Sequence, residues 1–130
     1  MTEYNWLLFL DLADLLVSSS FSSQIPSGSE TLYRNAISRS YYGVFGKLRD
    51  EMEKNGHHFT HSKVHQQLID WFLNQSDKQL SYIGKELNRL RHERNLADYD
   101  SKYIVTQLSA KKSIERARLL ITNFKQIKLI

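Results

Sequence analysis

The chain has 130 residues, of which 41% are hydrophobic and 25% are charged, a composition typical of one soluble globular domain covering residues 1–130. The formal net charge of +4 makes it mildly basic, which permits a nucleic acid partner without requiring one. The absence of cysteine excludes disulfides, cysteine-ligated zinc and thiol catalysis, and it fits a reducing compartment.

An apolar run occupies residues 6–10, close to the start of the chain. It is followed by two aspartates and lacks the basic segment that precedes the apolar part of a signal peptide. A membrane-spanning helix needs about 20 consecutive apolar residues, so we expect a cytoplasmic protein without membrane contact. The spacing of Trp6, Leu10 and Ala13 predicts an amphipathic helix from about Glu3 to Val17.

A serine-rich loop is predicted from Ser18 to Ser29, and it contains the only proline, Pro26. Ser29 is then expected to cap a long second helix that ends at Asn55-Gly56. The apolar face of this helix consists of Tyr33, Ile37, Tyr41, Val44, Leu48 and Met52. A neighbouring seam of small residues consists of Ala36, Ser40 and Gly43. Such a seam predicts close packing against another helix.

Three further helices are predicted in the second half of the chain. The third runs from about Ser62 to Leu73, and the fourth begins after Asp77 as its N-cap. A break around residues 100–102 separates it from a fifth helix. The residues that this last segment presents to the core are Val105, Leu108, Ile114, Ala117, Ile121 and Phe124. Because no alternation with a period of two is long enough for a strand, we expect an all-α bundle of four to five helices.

The end of the fourth helix carries the most chemically distinctive segment. Its apolar stripe, which includes Leu87 and Leu90, continues through Arg94 to Ala97, so Arg94 is predicted to point inward. A guanidinium remains charged in a protein and needs acceptors when it is buried. Asp98, one helical turn further on, is the nearest candidate partner.

Two interpretations of this arginine cluster remain open. Arg91 and Asn95 lie one turn apart on the adjacent flank, which continues to Asp98 or Tyr99. The cluster is either an ion-pair network that stabilises packing or an anion site, because arginine and asparagine offer planar donors that suit phosphate oxygens. On the second helix, Arg34 and Arg39 lie off the apolar stripe. A positive cleft would include them with Arg89, Arg91 and Arg94, although solvated surface is the alternative for both.

Histidines and tyrosines offer weaker signals. His61 and His65 are one turn apart and suit metal chelation, but no third ligand is evident, so we expect a solvated loop and no metal site. The tyrosines at 33, 41, 42, 82, 99 and 103 suit base stacking. Most of them lie on apolar stripes, which favours core packing.

Two segments are distinctive when taken together: LYRNAISRSYYGVFGKLRD in the second helix and ELNRLRHERNLADYD in the fourth. In this order they resemble the HEPN superfamily (higher eukaryotes and prokaryotes nucleotide-binding domain). The resemblance implies a helical bundle that commonly dimerises, in a family rich in metal-independent ribonucleases without cofactors. Such ribonucleases belong to toxin–antitoxin, CRISPR and phage-defence systems.

The chain departs from the family pattern at the catalytic motif. Active members carry an arginine followed, after four to six residues, by a histidine. Counting forward from Arg94, these positions are Tyr99, Asp100 and Ser101, so the catalytic histidine is absent. His92 lies before the arginine and does not replace that histidine. The resemblance still assigns catalytic candidates to Arg94, Asn95 and Tyr99. In some relatives a nucleotidyltransferase transfers AMP to a tyrosine near the motif, and Tyr99 is comparable only loosely because its offset differs.

We therefore expect an RNA-directed, ribonuclease-like component of a prokaryotic defence or toxin–antitoxin system. A base for cleavage would come from Tyr99, His92 or a partner. The nucleic-acid-binding or nucleotide-binding candidates are Arg39, Arg89, Arg91, His92 and Asp98. The alternative is an inactive assembly module that dimerises or joins a larger complex, which the missing histidine favours. A nucleotide-sensing domain is a third hypothesis.

Overall fold

The computed structural model describes residues 3–18, 24 and 28–127. These residues form five α-helices and one short 3₁₀ helix, and they contain no strand, which confirms the predicted all-α bundle. The helices are α1 (Leu8–Val17), α2 (Ser29–Lys54), α3 (Val64–Leu73), α4 (Lys78–Tyr99) and α5 (Gln107–Lys125), and the 3₁₀ helix His61–Lys63 leads into α3. Most of the predicted serine-rich loop, including Pro26, lies outside the described residues.

Several helix ends lie where the sequence predicts them. The Asp77 carboxylate accepts a hydrogen bond from the backbone N–H of Leu80 at 3.0 Å, so it caps α4 as expected. At the other end of α2, Asn55 is the C-cap, and Gly56 follows with a φ of 90°. A residue with a side chain rarely adopts this left-handed conformation, which explains why glycine ends the helix.

Two helix starts differ from the prediction. Helix α1 begins at Leu8 rather than near Glu3, because the Asn5 side chain accepts a hydrogen bond from the backbone N–H of Leu7 at 3.1 Å and forms a local turn. Ser29 is the first residue of α2 and makes no capping hydrogen bond; the N-cap is Gly28. Among the described residues, no helix combines the length and hydropathy that a membrane span requires.

The seam of small residues in α2 provides the close contact with α1. A Cβ atom at Gly43 would lie 3.0 Å from Cβ of Phe9 and 3.1 Å from the backbone oxygen of Trp6. At Gly46, a Cβ atom would overlap the indole ring of Trp6. The indole Nε1 in turn donates to Oδ2 of Asp50 at 2.9 Å, which joins the start of α1 to α2.

The helices bury two groups of side chains. The larger group contains Tyr41, Leu48, Phe72, Leu87 and Leu120, among others, and the smaller one surrounds Ala36, Ala97 and Ile114.

Leu108 was wrongly predicted as a core residue, because its side chain is 62% exposed. It lies two positions from the buried Ala110, which is about 200° around a helix axis. The other residues predicted for this segment are buried, with Val105 just before α5 rather than within it.

Candidate functional site

Arg94 lies at the centre of a polar network near the end of α4. Its side chain is only 13% exposed, and its Nε donates to Oδ2 of Asp98 at 3.0 Å, as the spacing predicts. Its Nη1 donates to Oδ1 of Asn95 at 2.7 Å. Its Nη2 donates to the hydroxyl of Tyr42 and, at 3.3 Å, to that of Tyr99. The guanidinium is therefore hydrogen-bonded on all three nitrogens.

Two tyrosine rings also contact the Arg94 guanidinium. Its Cζ lies 4.9 Å from the ring centre of Tyr42 and 5.3 Å from that of Tyr99, distances at which a cation is attracted to an aromatic face. Tyr42 comes from α2 and is partly buried, whereas Tyr99 is 75% exposed. Tyr99 therefore presents an accessible aromatic ring beside a charged group.

Asp98 joins the network to α2. Its Oδ2 accepts from Oγ of the buried Ser38 at 3.1 Å in addition to the Arg94 bond. The same serine oxygen lies 3.3 Å from Nη2 of Arg39. One carboxylate thus connects two helices and two arginines.

Arg39 lies between two aromatic rings, with its Cζ 5.2 Å from the centres of both Phe9 and Tyr42. Its Nε is buried and has no hydrogen-bond partner among the described residues. On α4, Arg91 donates from Nη1 to Oε1 of Gln66 at 2.9 Å, and its buried Nε likewise has no partner in that part of the chain. Within the described part of the chain, neither arginine forms a salt bridge.

The arrangement carries excess positive charge. We define the arginine surface as Arg39, Arg91 and Arg94 together with Tyr42 and Asp98. This set contains three guanidinium groups and one carboxylate, so it can neutralise an added anion.

Other predicted site residues lie apart from this surface or at its edge. Arg89 is 55% exposed, and its Nε lies 3.9 Å from Glu93, which bonds Ser113 and Arg116 of α5. The structure therefore does not bring Arg89 to the arginine surface. His92 is exposed. Its helical spacing places it on the flank that continues toward Tyr99.

The Arg34 guanidinium does not line the positive cleft that was predicted. It donates to backbone carbonyl oxygens at the end of α4, including that of Ala97 at 2.8 Å. It also forms an ion pair with Glu30 at 3.0 Å. Its donors are occupied within the chain, so it does not contribute a free cation to the arginine surface.

A contact between Tyr41 and His65 was not predicted from the sequence. The Tyr41 hydroxyl lies 2.6 Å from Nδ1 of His65, and the imidazole stacks on Phe45 with ring centres 4.0 Å apart. The expectation of a solvated histidine is therefore wrong for His65 but correct for the exposed His61. No group of three or more metal-ligating side chains occurs among the described residues. The prediction that the tyrosines pack in the core is correct for Tyr41, which is fully buried, but Tyr82 and Tyr99 are exposed.

Comparison with known proteins identifies the family. No curated protein and no solved structure gives a significant match. The family model described as the HEPN domain matches residues 25–127, which is most of the chain and includes α2 to α5. The chain therefore belongs to the HEPN domain family.

Proposed function

We propose that this HEPN domain binds RNA through the arginine surface and acts in a prokaryotic toxin–antitoxin, CRISPR or phage-defence system. The observation that carries the proposal is the pair of partly buried guanidinium groups, on Arg39 and Arg91, without carboxylate partners in the described structure. A buried polar atom without a partner costs about 1–3 kcal/mol. That cost is expected where a ligand supplies the missing acceptors.

The chemistry of the surface favours a phosphodiester ligand. Guanidinium groups offer parallel N–H donors that match phosphate oxygens. The exposed ring of Tyr99 lies beside them and offers a face on which a base can stack. Phosphate binding combined with base stacking is the usual way in which proteins recognise single-stranded nucleic acid.

The shape of the surface favours a polymer over a free nucleotide. Nucleotide-sized ligands normally occupy concave pockets. Five cavities among the described residues are lined by other parts of the chain, mainly α1, α5 and the ends of α2 and α4, and none of these five is lined by a residue of the arginine surface. This distribution favours RNA binding over nucleotide sensing.

RNA binding can be tested by fluorescence anisotropy with a labelled single-stranded RNA at several salt concentrations. We expect Arg91→Ala to weaken binding about tenfold and to reduce the salt dependence by about 0.7 in log–log slope. Arg89→Ala is the matched control, because it removes the same charge from the same helix away from the surface. Equal losses in both variants, or no binding by the natural chain at low salt, would contradict the proposal.

A nuclease role is a finer proposal that the same RNA can test. The resemblance gives Arg94 the role of stabilising charge on the scissile phosphate, with a base from Tyr99, His92 or a partner protein. Cleavage that disappears in Arg94→Ala supports this role. Cleavage that persists in the variant arises from a contaminant or from another site.

The second candidate function is an inactive assembly module. It is favoured by one observation: each of the three guanidinium nitrogens of Arg94 is hydrogen-bonded within the chain, as in a structural ion pair. Members of the family commonly dimerise, so a homodimer or a complex with a nucleotidyltransferase is the corresponding partner proposal. Light scattering after size-exclusion chromatography measures the self-association. A dimer that does not bind RNA supports this function over the first.

A further inference from the structure

The His65 imidazole, on α3, packs against aromatic rings of α2. Its ring is nearly parallel to that of Phe45, at an angle of 16°, and meets the Tyr42 ring edge-on with centres 5.9 Å apart. Tyr42 is the same side chain that accepts a hydrogen bond from Arg94. His65 therefore borders the arginine surface.

The hydrogen bond with Tyr41 determines which imidazole nitrogen carries the proton. Tyr41 is fully buried, and burial raises the pKa of its hydroxyl, so the phenol keeps its proton. Nδ1 of His65 is the acceptor that the described residues offer to this hydroxyl. The phenol therefore donates to Nδ1, and a neutral imidazole carries its own proton on Nε2.

The Nε2 atom of His65 is not fully enclosed. The described side-chain nitrogens that are buried without a partner are Nε of Arg39 and Nε of Arg91. Nε2 of His65 has no hydrogen-bond partner among the described residues either, yet it is not buried in this way. It is therefore a donor that is free for a ligand.

The charged groups that act on His65 are all cations. The pKa of His65 is lowered to about 4, mainly by burial and in smaller part by Arg91 and Arg94 from α4 and Arg49 from α2. The adjacent Gln66 on its own helix is neutral and bonds Arg91. The imidazole is thus neutral at pH 7 in a field that attracts anions.

We propose that His65 is a further phosphodiester-binding residue of the arginine surface, and that Tyr41 positions it by holding Nδ1, so that the Nε2–H donates to a phosphate oxygen beside Arg91. The inference rests on the proposed RNA binding, and it adds that His65 takes up one proton when RNA binds. A bound phosphodiester places negative charge among the three arginines and favours the imidazolium. The added proton goes to Nδ1, whose N–H then donates to the Tyr41 oxygen, so the phenol changes from donor to acceptor and still holds the ring. RNA binding is therefore coupled to proton uptake by His65.

The experiment is RNA affinity as a function of pH, measured with oligouridine that lacks terminal phosphates. Neither uracil nor a phosphodiester titrates between pH 5.5 and 7.5, so a change in affinity over this range reports the protein. If the complex restores the pKa of His65 from about 4 to about 6.5, the RNA affinity rises about tenfold as the pH falls from 7.5 to 5.5. His65→Gln keeps a neutral N–H donor but cannot take up a proton, so its affinity should be independent of pH. His61→Gln, which alters an exposed histidine four residues earlier, should retain the rise.

The outcomes separate this inference from the proposed function. If the natural chain binds oligouridine equally well at both pH values, or if His65→Gln keeps the rise, the role of His65 is overturned while RNA binding stands. If the natural chain does not bind at either pH, the proposed function itself fails. Should His65→Gln unfold, NMR titration of the His65 ring in the natural chain decides the question. An RNA-induced increase in its pKa supports the inference, and an unchanged pKa overturns it.

Discussion

The guanidinium of Arg34 in α2 lies 2.8 Å from the backbone carbonyl oxygen of Ala97 in the last turn of α4. The same side chain donates to the carbonyl oxygens of Leu96 at 3.4 Å, of Asp100 at 3.0 Å and of Tyr103. The last carbonyl groups of a helix have no partners within it and carry partial negative charge. Arg34 therefore acts as a C-terminal cap supplied by another helix.

We expect Arg34→Ala to lower the free energy of unfolding by about 2–3 kcal/mol, because it removes charged hydrogen bonds to several carbonyl groups at once. Urea denaturation measures the change. Arg118→Ala is the control: it removes an arginine whose partners Asp11 and Asp14 are exposed, so it should cost less than about 1 kcal/mol. Equal effects of the two substitutions would show that capping by Arg34 contributes little.

A second prediction concerns the pH dependence of stability. The pKa of His65 is about 4 in the folded chain and about 6.5 when unfolded. Between these values the unfolded chain binds a proton that the folded chain does not. The free energy of unfolding should therefore fall as the pH decreases from about 6.5 to 4. Urea denaturation across this range should give a shallower dependence for His65→Asn and an unchanged one for His61→Asn. A steep dependence in His65→Asn would assign the effect to other groups.

The Arg94–Asp98 pair gives a third prediction. We expect Arg94→Ala to reduce stability by about 1–3 kcal/mol, since it leaves Asp98 with the Ser38 hydroxyl as its remaining partner. Thermal unfolding measures the loss. In the double variant Arg94→Ala, Asp98→Asn, part of the stability should return, because the unpaired charge is removed. A melting curve unchanged by Arg94→Ala would mean that the arginine has no structural role.

The contact between Gly46 and the Trp6 indole supports a fourth prediction. Gly46→Ala should lower stability by about 1–3 kcal/mol, since its methyl group would overlap the Trp6 indole and push α1 away from α2. Urea denaturation followed by circular dichroism measures the stability, and tryptophan fluorescence in a Trp71→Phe background reports the environment of the Trp6 indole. Gly56→Asn is a suitable control, because Gly56 lies at an exposed turn with positive φ, which asparagine tolerates. If both variants behave alike, the indole is not packed as described.

The features that could be predicted from sequence depend on residues close to one another in the chain. Helix periodicity, the Asp77 cap and the Asn55-Gly56 end are local, and so is the Arg94–Asp98 pair, whose members are four residues apart. The resemblance to the HEPN superfamily also depended on two such local segments.

The features that could not be predicted join distant parts of the chain. Arg34 caps a helix end that lies 62–69 residues further on, and Tyr41 bonds His65 across 24 residues. Helical spacing determines the face on which a side chain lies, but it does not determine which neighbouring helix meets that face. The position of Arg89 could not be predicted for the same reason, because the side of α4 that carries Arg89 lies against α5 rather than α2.

The arginine surface spans helices that are distant in sequence, since α2 carries Arg39 and α4 carries Arg91. Besides apolar packing, these helices are joined near the surface by the Ser38–Asp98 and Tyr42–Arg94 bonds. A polyanion that contacts both arginines would link the two helices and slow their separation. Amide hydrogen exchange in this part of α2 and α4 should therefore become slower when the polyanion is bound.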